Sequence, residues 1–390
     1  MMKAIRNPIS TGKKMFYRKV GAILGKGRIR ITTVFILFIT LTILACAEVE
    51  TPTGNSPVNP NLNQWDIPRD QVFDGGPGKD GIPALDNPAL SNASESSYLS
   101  DDDLVLGYKN GVDMVAYPHK ILDWHEIIND KVNGQAIAVT YCPLTGTGIG
   151  WDRTIDGAET TFGVSGLLYN SNLIPYDRKT DSNWSQIRLD CVNGVLKGNM
   201  VQTFPLVETT WKTWRSMYPE TKLISISTGF NRNYNRYPYG DYRTNNNNII
   251  FPFQPDDNRL GAKERVHGII IDKVAKAYRF GSFSNGTALI EDLFRSIPLV
   301  VVGNKDRNFI VSFKSTLANG TVLKFEIAPE HNQDPSSPII LIDDQGNKWD
   351  IFGVAVSGPL KGQKLLSTTS FIGYWFSWGA FYPGLDIYSD

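Results

Sequence analysis

From Asp101 onward the chain is a succession of short β-branched and aromatic runs, each broken by Gly, Asn or Asp. Runs this short cannot carry the apolar stripe of a long helix, whereas strands joined by turns accommodate them well. Segments 104–108, 112–117, 136–141, 149–153 and 161–164 are of this kind, with Asn110-Gly111 and Asn133-Gly134 as hairpin turns. Helix signals are confined to HKILDWHEIIND (119–130), TTWKTWRSMY (209–218) and residues 290–296. The pattern predicts an α+β fold that is mainly antiparallel β, with few short helices. Hydrophobic residues are 41% of 390, enough for a folded core in one large domain or two ordinary ones.

The chain also resembles itself. GYKNGVDMVAY (107–117) returns as GIIIDKVAKAY (268–278), an offset of 161 residues (268 − 107 = 161). Farther on, the segment from Tyr176 to Trp184 meets Ile342 to Trp349, and VLKG (195–198) meets PLKG (359–362). This predicts an internal duplication. A first β-rich half spans 71–220, a Tyr- and Asn-rich connecting loop 221–262, and a second half with an aromatic closing segment 263–390. At the same offset Cys142 becomes Gly303, His119 becomes Phe280, His125 becomes Gly286 and Asp152 becomes Phe313. Reactive groups are therefore expected in the first half, with the second as support.

The N-terminus carries an address. Basic residues Lys26, Arg28 and Arg30 precede an apolar run, Ile31 to Ala45, that ends in Leu44-Ala45-Cys46. This is the arrangement of an export signal, and its ending resembles a bacterial lipobox. Residues 1–46 thus read as a lipoprotein signal peptide with Cys46 lipidated, and 47–70 as a flexible tether. A single signal-anchor helix is the other reading. Both put the domain in the cell envelope, anchored to a membrane and facing outward. The 39 basic and 39 acidic residues cancel, so no field gathers nucleic acid.

Within the first half, AVTYCPLTGTGIGWDR (138–153) is the stretch most suited to chemistry. It places Cys142 at the mouth of an apolar strand, beside a Thr- and Gly-rich turn. Cys142 has three readings: a structural thiol, a disulfide partner of Cys191, or a functional thiolate or soft-metal ligand. A functional thiolate needs a base, for which His125 and His119 are the nearest candidates. With those two histidines Cys142 makes a copper or zinc set, although no metal-type spacing accompanies it. Asp152-Arg153 and Asp177-Arg178 lie on strands, where one member of each pair can face a cleft. Between them, Ser165 to Asn172 is rich in neutral hydrogen-bonding groups, with Ser165 and Asn170 as candidate ligand contacts. The connecting loop interleaves Tyr234, Tyr237, Tyr239 and Tyr242 with Arg232, Arg236 and Arg243, for stacking a ligand or draping the seam. Gly76, Gly78 and Gly81 match a dinucleotide fingerprint literally, but no strand feeds them and Pro83 follows, so the match carries no function.

At YCPLTGT, FGVSGLLYNSNL, YDRKTDSNWSQ, ERVHGI and YWFSWGAFYPG the chain resembles the family called domain of unknown function 3179. The resemblance runs from about Asp80 to Tyr388 and implies no activity. It does imply that some relatives carry a second cysteine where Thr145 stands, so a two-thiolate mechanism is not expected here. Two functions follow. One is a thiol-centred site using Cys142 and His125, positioned by Asp152, Arg153, Asp177 and Arg178. The other is a non-catalytic binding module for a small polar ligand or a protein partner, with Cys142 structural or bonded to Cys191.

Overall fold

A computed structural model describes residues 64–389, which fall in one compact unit. The proposed signal peptide, Cys46 and most of the tether lie outside the described residues. The fold is dominated by antiparallel and mixed β-sheets, with four short helices among the described residues. None of these helices is long and apolar enough to cross a membrane.

Residues 104–224 begin with the hairpin Leu104–Asn110 and Asp113–Pro118. A short helix, His119–His125, leads into the meander Ile127–Val132, Gln135–Cys142 and Thr147–Asp152. Phe162–Tyr169 and Asn172–Asp177 form a third hairpin, extended by Asn183–Ser185 and Asp190–Asn193. The chain then returns as Val207–Thr210 beside the first strand, adds the helix Trp211–Met217, and closes with Lys222–Ile224 parallel to the second strand.

Residues 265–387 begin with the hairpin Arg265–Ile271 and Val274–Arg279. A 3-10 turn, Phe280–Phe283, leads into the meander Ala288–Phe294, Ile297–Asn304 and Phe309–Lys314. Phe325–Ile327 and Ile339–Asp343 follow, extended by Lys348–Asp350 and Ala355–Ser357. Thr369–Tyr374 returns beside Arg265–Ile271, the helix Trp375–Phe381 follows, and Asp386–Ile387 runs parallel to Val274–Arg279.

Two helix assignments need correction. The helix expected over 119–130 stops at His125, because Glu126 adopts φ 57° and Ile127 begins a strand. Its β-branched Ile127 and Ile128 pair with Thr140 and Val139, and that ladder outweighs helical propensity. Residues 290–296 are not helical either: Ala288–Phe294 is a strand, turned back by the left-handed pair Arg295-Ser296. Asn133-Gly134 does make the expected two-residue turn, both residues at positive φ, between Val132 and Gln135.

In each hairpin sheet the first strand approaches a tryptophan closely at a glycine. An added Cβ on Gly107 would lie 2.1 Å from the Trp214 ring, and one on Gly268 2.2 Å from the Trp378 ring. Only a bare Cα lets each helix lie flat on its sheet. The two regions also clasp one another. Tyr374 N–H donates to Thr145 O at 2.8 Å, and Thr210 N–H points at Arg307 O at 3.5 Å. Residues 225–264 hold no helix or strand and pack over the loop that follows Cys142.

Candidate functional site: a buried thiol and an inter-sheet cleft

Cys142 ends its strand opposite Thr147 and is 1% exposed. Its thiol donates to Ser171 O at 3.6 Å, and burial, with the Glu126 carboxyl adding to it, pushes its pKa up to about 11. Cys191 is also buried and free, so the disulfide expected as one alternative does not form: the two thiols sit in different sheets. At pH 8 only about a thousandth of such a thiol is ionised.

The histidines do not come to the sulfur. His125 spends Nδ1 on Pro83 O (2.7 Å) and Nε2 on the Tyr234 hydroxyl (2.8 Å). His119 packs its ring 4.4 Å from that of Tyr141, with Nε2 3.8 Å from Glu208 Oε1. Burial lowers both imidazole pKa values, most strongly for His119, where Arg243 and Arg265 add to the effect. Among the described residues no three His, Cys, Asp or Glu side chains gather in a way that could hold a metal. The set of Cys142, His119 and His125 is therefore not assembled.

Glu126 is the charged side chain whose field acts on the thiol. Its left-handed backbone turns a buried carboxyl inward, where the Tyr239 hydroxyl donates to Oε1 at 3.5 Å. Burial pushes that carboxyl up to about 8. One turn earlier, Asp123 pairs with Arg243, yet burial wins over the cation and raises it to about 7. The connecting loop closes this region: Tyr242 donates to Leu144 O at 2.8 Å, and Arg243 lies 4.0 Å over the Tyr237 ring. Lys263 holds the loop's shape, its ammonium 3.4 Å above the Tyr242 ring and donating to Asn245 O and Asn248 O, each at 2.7 Å. The tyrosines therefore drape the seam and fill it.

The remaining candidates brace the fold. Asp152 sits opposite Ile137, at the far end of the strand from Cys142, roughly 17 Å away at strand rise. It accepts from Thr154 N–H (2.7 Å) and Gln135 Nε2 (3.0 Å), while buried Arg153 donates to Asp130 O and Thr160 O. Asp177, 1% exposed, accepts from Thr180 N–H and from Trp184 Nε1. Arg178 reaches out to Asp80 and Asp86. Ser165 Oγ donates to Ile174 O, and Asn170 accepts from Gln254 N–H. Within 165–172, Ser165, Asn170 and Ser171 bond to backbone and Asn172 to the side chains of Thr145, Thr147 and Gln186, while Tyr169 lines the cleft described next.

A cleft of about 760 Å³ lies elsewhere, between strands of residues 104–224 and strands of residues 265–387. That volume suits a small-molecule ligand, commonly held in about 300–1,000 Å³. His267 lines it, 3% exposed, with Nε2 2.9 Å from Ser312 Oγ. Ser312 continues to Thr368 Oγ1 at 2.6 Å, and Thr368 donates to Ser370 Oγ at 2.9 Å. His267 Nδ1 is buried without a partner, and so is Glu208 Oε2, whose companion oxygen takes Arg265. Burial drives the His267 pKa down to about 3, too low for an effective base at neutral pH. The Ser312–His267 pair is suited to hydrogen bonding rather than to acyl transfer.

Sequence reasoning missed this site because it assigned the second half no reactive group. The histidine of ERVHGI, alone in an otherwise apolar strand, was the available signal. No curated protein and no solved structure matches the chain. A family model described as a protein of unknown function, DUF3179, matches residues 79–385, and the chain belongs to that family.

Proposed function

We propose that this protein is an exported, lipid-anchored binding module in which an internal duplication encloses the ligand. The address rests on the basic and apolar run ending at Cys46. The duplication is supported by pairings that recur strand for strand. Leu106 faces Tyr117 as His267 faces Tyr278, and Val139 faces Gly150 as Val301 faces Ser312. Val207 faces Gly107 as Phe371 faces Gly268, and Lys222 faces Val115 as Asp386 faces Lys276. One residue is gained ahead of the second meander, so the counterpart of Cys142 is Asn304, not Gly303: Cys142 faces Thr147 and Asn304 faces Phe309.

The observation that carries the binding function is the cleft itself, with the hydroxyl chain of Ser312, Thr368 and Ser370 in its lining. A ligand oxygen can add a hydrogen bond to that chain, worth roughly 0.5–1.5 kcal/mol. Ligand-observed NMR with a mixed library of small neutral molecules tests this. Fragments should receive saturation from wild type and lose much of it in Leu206→Trp, which narrows the cleft at its apolar side. If no fragment distinguishes the two proteins, the cleft is not a binding site.

A second reading keeps the thiol. What favours it is Glu126, a non-glycine residue held at φ 57° whose carboxyl acts through space on the Cys142 thiol, since strained backbone gathers at functional sites. Alkylation by iodoacetamide at pH 8 separates the readings. In the binding module Cys142 reacts at least about a hundred-fold more slowly than a free thiol, as burial and a raised pKa require. Labelling of folded protein at the free-thiol rate would instead restore Cys142 to the chemistry.

A further inference from the structure

Eight positions of the cleft form two sets at equivalent places in the fold, and the chemistry of the two sets is opposite. On the duplication reading, on which this inference rests, Leu106 corresponds to His267 and Gly150 to Ser312 by the pairings given above. Thr203 faces Trp151 as Ser367 faces Phe313, so Phe204 corresponds to Thr368 and Leu206 to Ser370. All eight residues line the cleft. The first-copy members form an apolar group: a Cβ on Gly148 would meet Leu106, one on Gly150 would meet Phe204, and Phe204 packs 5.2 Å from Tyr108. The second-copy members form the hydrogen-bonded chain His267, Ser312, Thr368 and Ser370.

The fold does not require that chain. The same strand positions are met by Leu106, Gly150, Phe204 and Leu206 in the first copy, and burying a histidine and three hydroxyls costs more than burying hydrocarbon. The polar side is therefore suited to an occupant, and the apolar side limits what the occupant presents to it. A sugar, with hydroxyls around its whole rim, would leave some of them desolvated against Leu106 and Leu206. Arg188, Asp190, Glu208, Asp272 and Lys273 also line the cleft, but none of these eight positions is charged, so a charged group placed against them would be buried without a partner.

We infer that the cleft binds a neutral ring compound that is hydrocarbon on one side and bears a hydroxyl or carbonyl group on the opposite edge. Phenols and quinones share this chemistry. The oxygen meets the hydroxyl chain from Ser312 to Ser370, which His267 supports from behind through Ser312, and the ring lies on Phe204, Leu106 and Leu206.

Calorimetric titration of the described domain within the full chain uses three probes: 2-naphthol, 1,4-naphthoquinone and methyl glucoside. The two naphthalene compounds distinguish hydroxyl from carbonyl recognition, and binding of either supports the inference. His267→Leu and Ser370→Leu install the residues of the opposite face, which the fold already accommodates there. Ser370→Leu should weaken the bound naphthalene probe about ten-fold, the loss of one hydrogen bond, and His267→Leu should weaken it by less, through Ser312, while circular dichroism and urea midpoint stay near wild type. Equal binding to wild type and both variants overturns the inference. If methyl glucoside binds, is weakened in Leu206→Trp, and neither naphthalene compound binds, the cleft remains a binding site and the ligand class is wrong. If no probe and no library fragment binds, both the inference and the binding function fall.

Discussion

Gly268→Ala should destabilise the protein by about 3 kcal/mol or more, at the upper end of what overpacking a core costs. The added methyl would sit 2.2 Å from Trp378 Cζ2, well inside van der Waals contact. The ring has nowhere to go. It is fully buried, stacks on Phe371 at 4.5 Å, and meets Tyr382 at 5.6 Å on the other side. Gly107→Ala should cost a similar amount, because its methyl would fall 2.1 Å from Trp214, wedged between Tyr218 and Phe352. Urea denaturation reads the effect as a fall in midpoint at constant slope. Trp378→Phe, which shortens the ring, should recover part of the loss when combined with Gly268→Ala, and that coupling marks the contact as the cause. A Gly268→Ala protein within about 1 kcal/mol of wild type would mean the helix lifts off its sheet without penalty.

These glycines bear on how much of the molecule its sequence discloses. The repeated GYKNGVDMVAY and GIIIDKVAKAY segments announce two alike hairpins, and Gly107 and Gly268 are the positions where both need a bare Cα. Asn133-Gly134 was legible as a turn because its chemistry favours left-handed backbone. Asp272-Lys273 and Arg295-Ser296 make equally tight turns, at φ 51° and 63°, and at 52° and 62°, with no glycine to signal them. The run before Arg295 therefore reads as a helix from its sequence. Cys142 was correctly placed at a strand end beside a loop, but the depth of that loop depends on Tyr237, Tyr242 and Arg243, about a hundred residues away in sequence. The cleft was harder still. Its polar side draws on Arg265–Ile271, Phe309–Lys314 and Thr369–Tyr374, where each serine or threonine is individually unremarkable. Under the proposed duplication, hydroxyls stand where hydrocarbon stands at the matching positions, a relation that single residues do not signal.

Glu126 should make the protein less stable as pH rises, the reverse of the usual carboxylate. In the folded state its carboxyl is held at about 8 against an ordinary 4.5, with burial as the main cause and the Tyr239 hydroxyl opposing it only weakly. Between those values the folded chain keeps a proton that the unfolded chain has released. Raising the pH through that window therefore favours unfolding, and the loss is complete above about pH 8. Asp123, raised from 3.8 to about 7, adds a contribution of the same sign over a window that closes near its own folded value. Glu126→Gln imitates the protonated form and removes its share. The variant should match wild type near pH 4.5 and exceed it by a few kcal/mol at pH 8, since every tenfold difference in proton affinity between the folded and unfolded chain is worth about 1.4 kcal/mol. Urea midpoints of both proteins from pH 4.5 to 8.5 check this, and parallel curves would show that residue 126 does not titrate within the fold. The same variant bears on the thiol. A charged Glu126 opposes ionisation of Cys142, so removing it should lower the thiol pKa and speed alkylation modestly, while burial, the larger cause, keeps the sulfur slow.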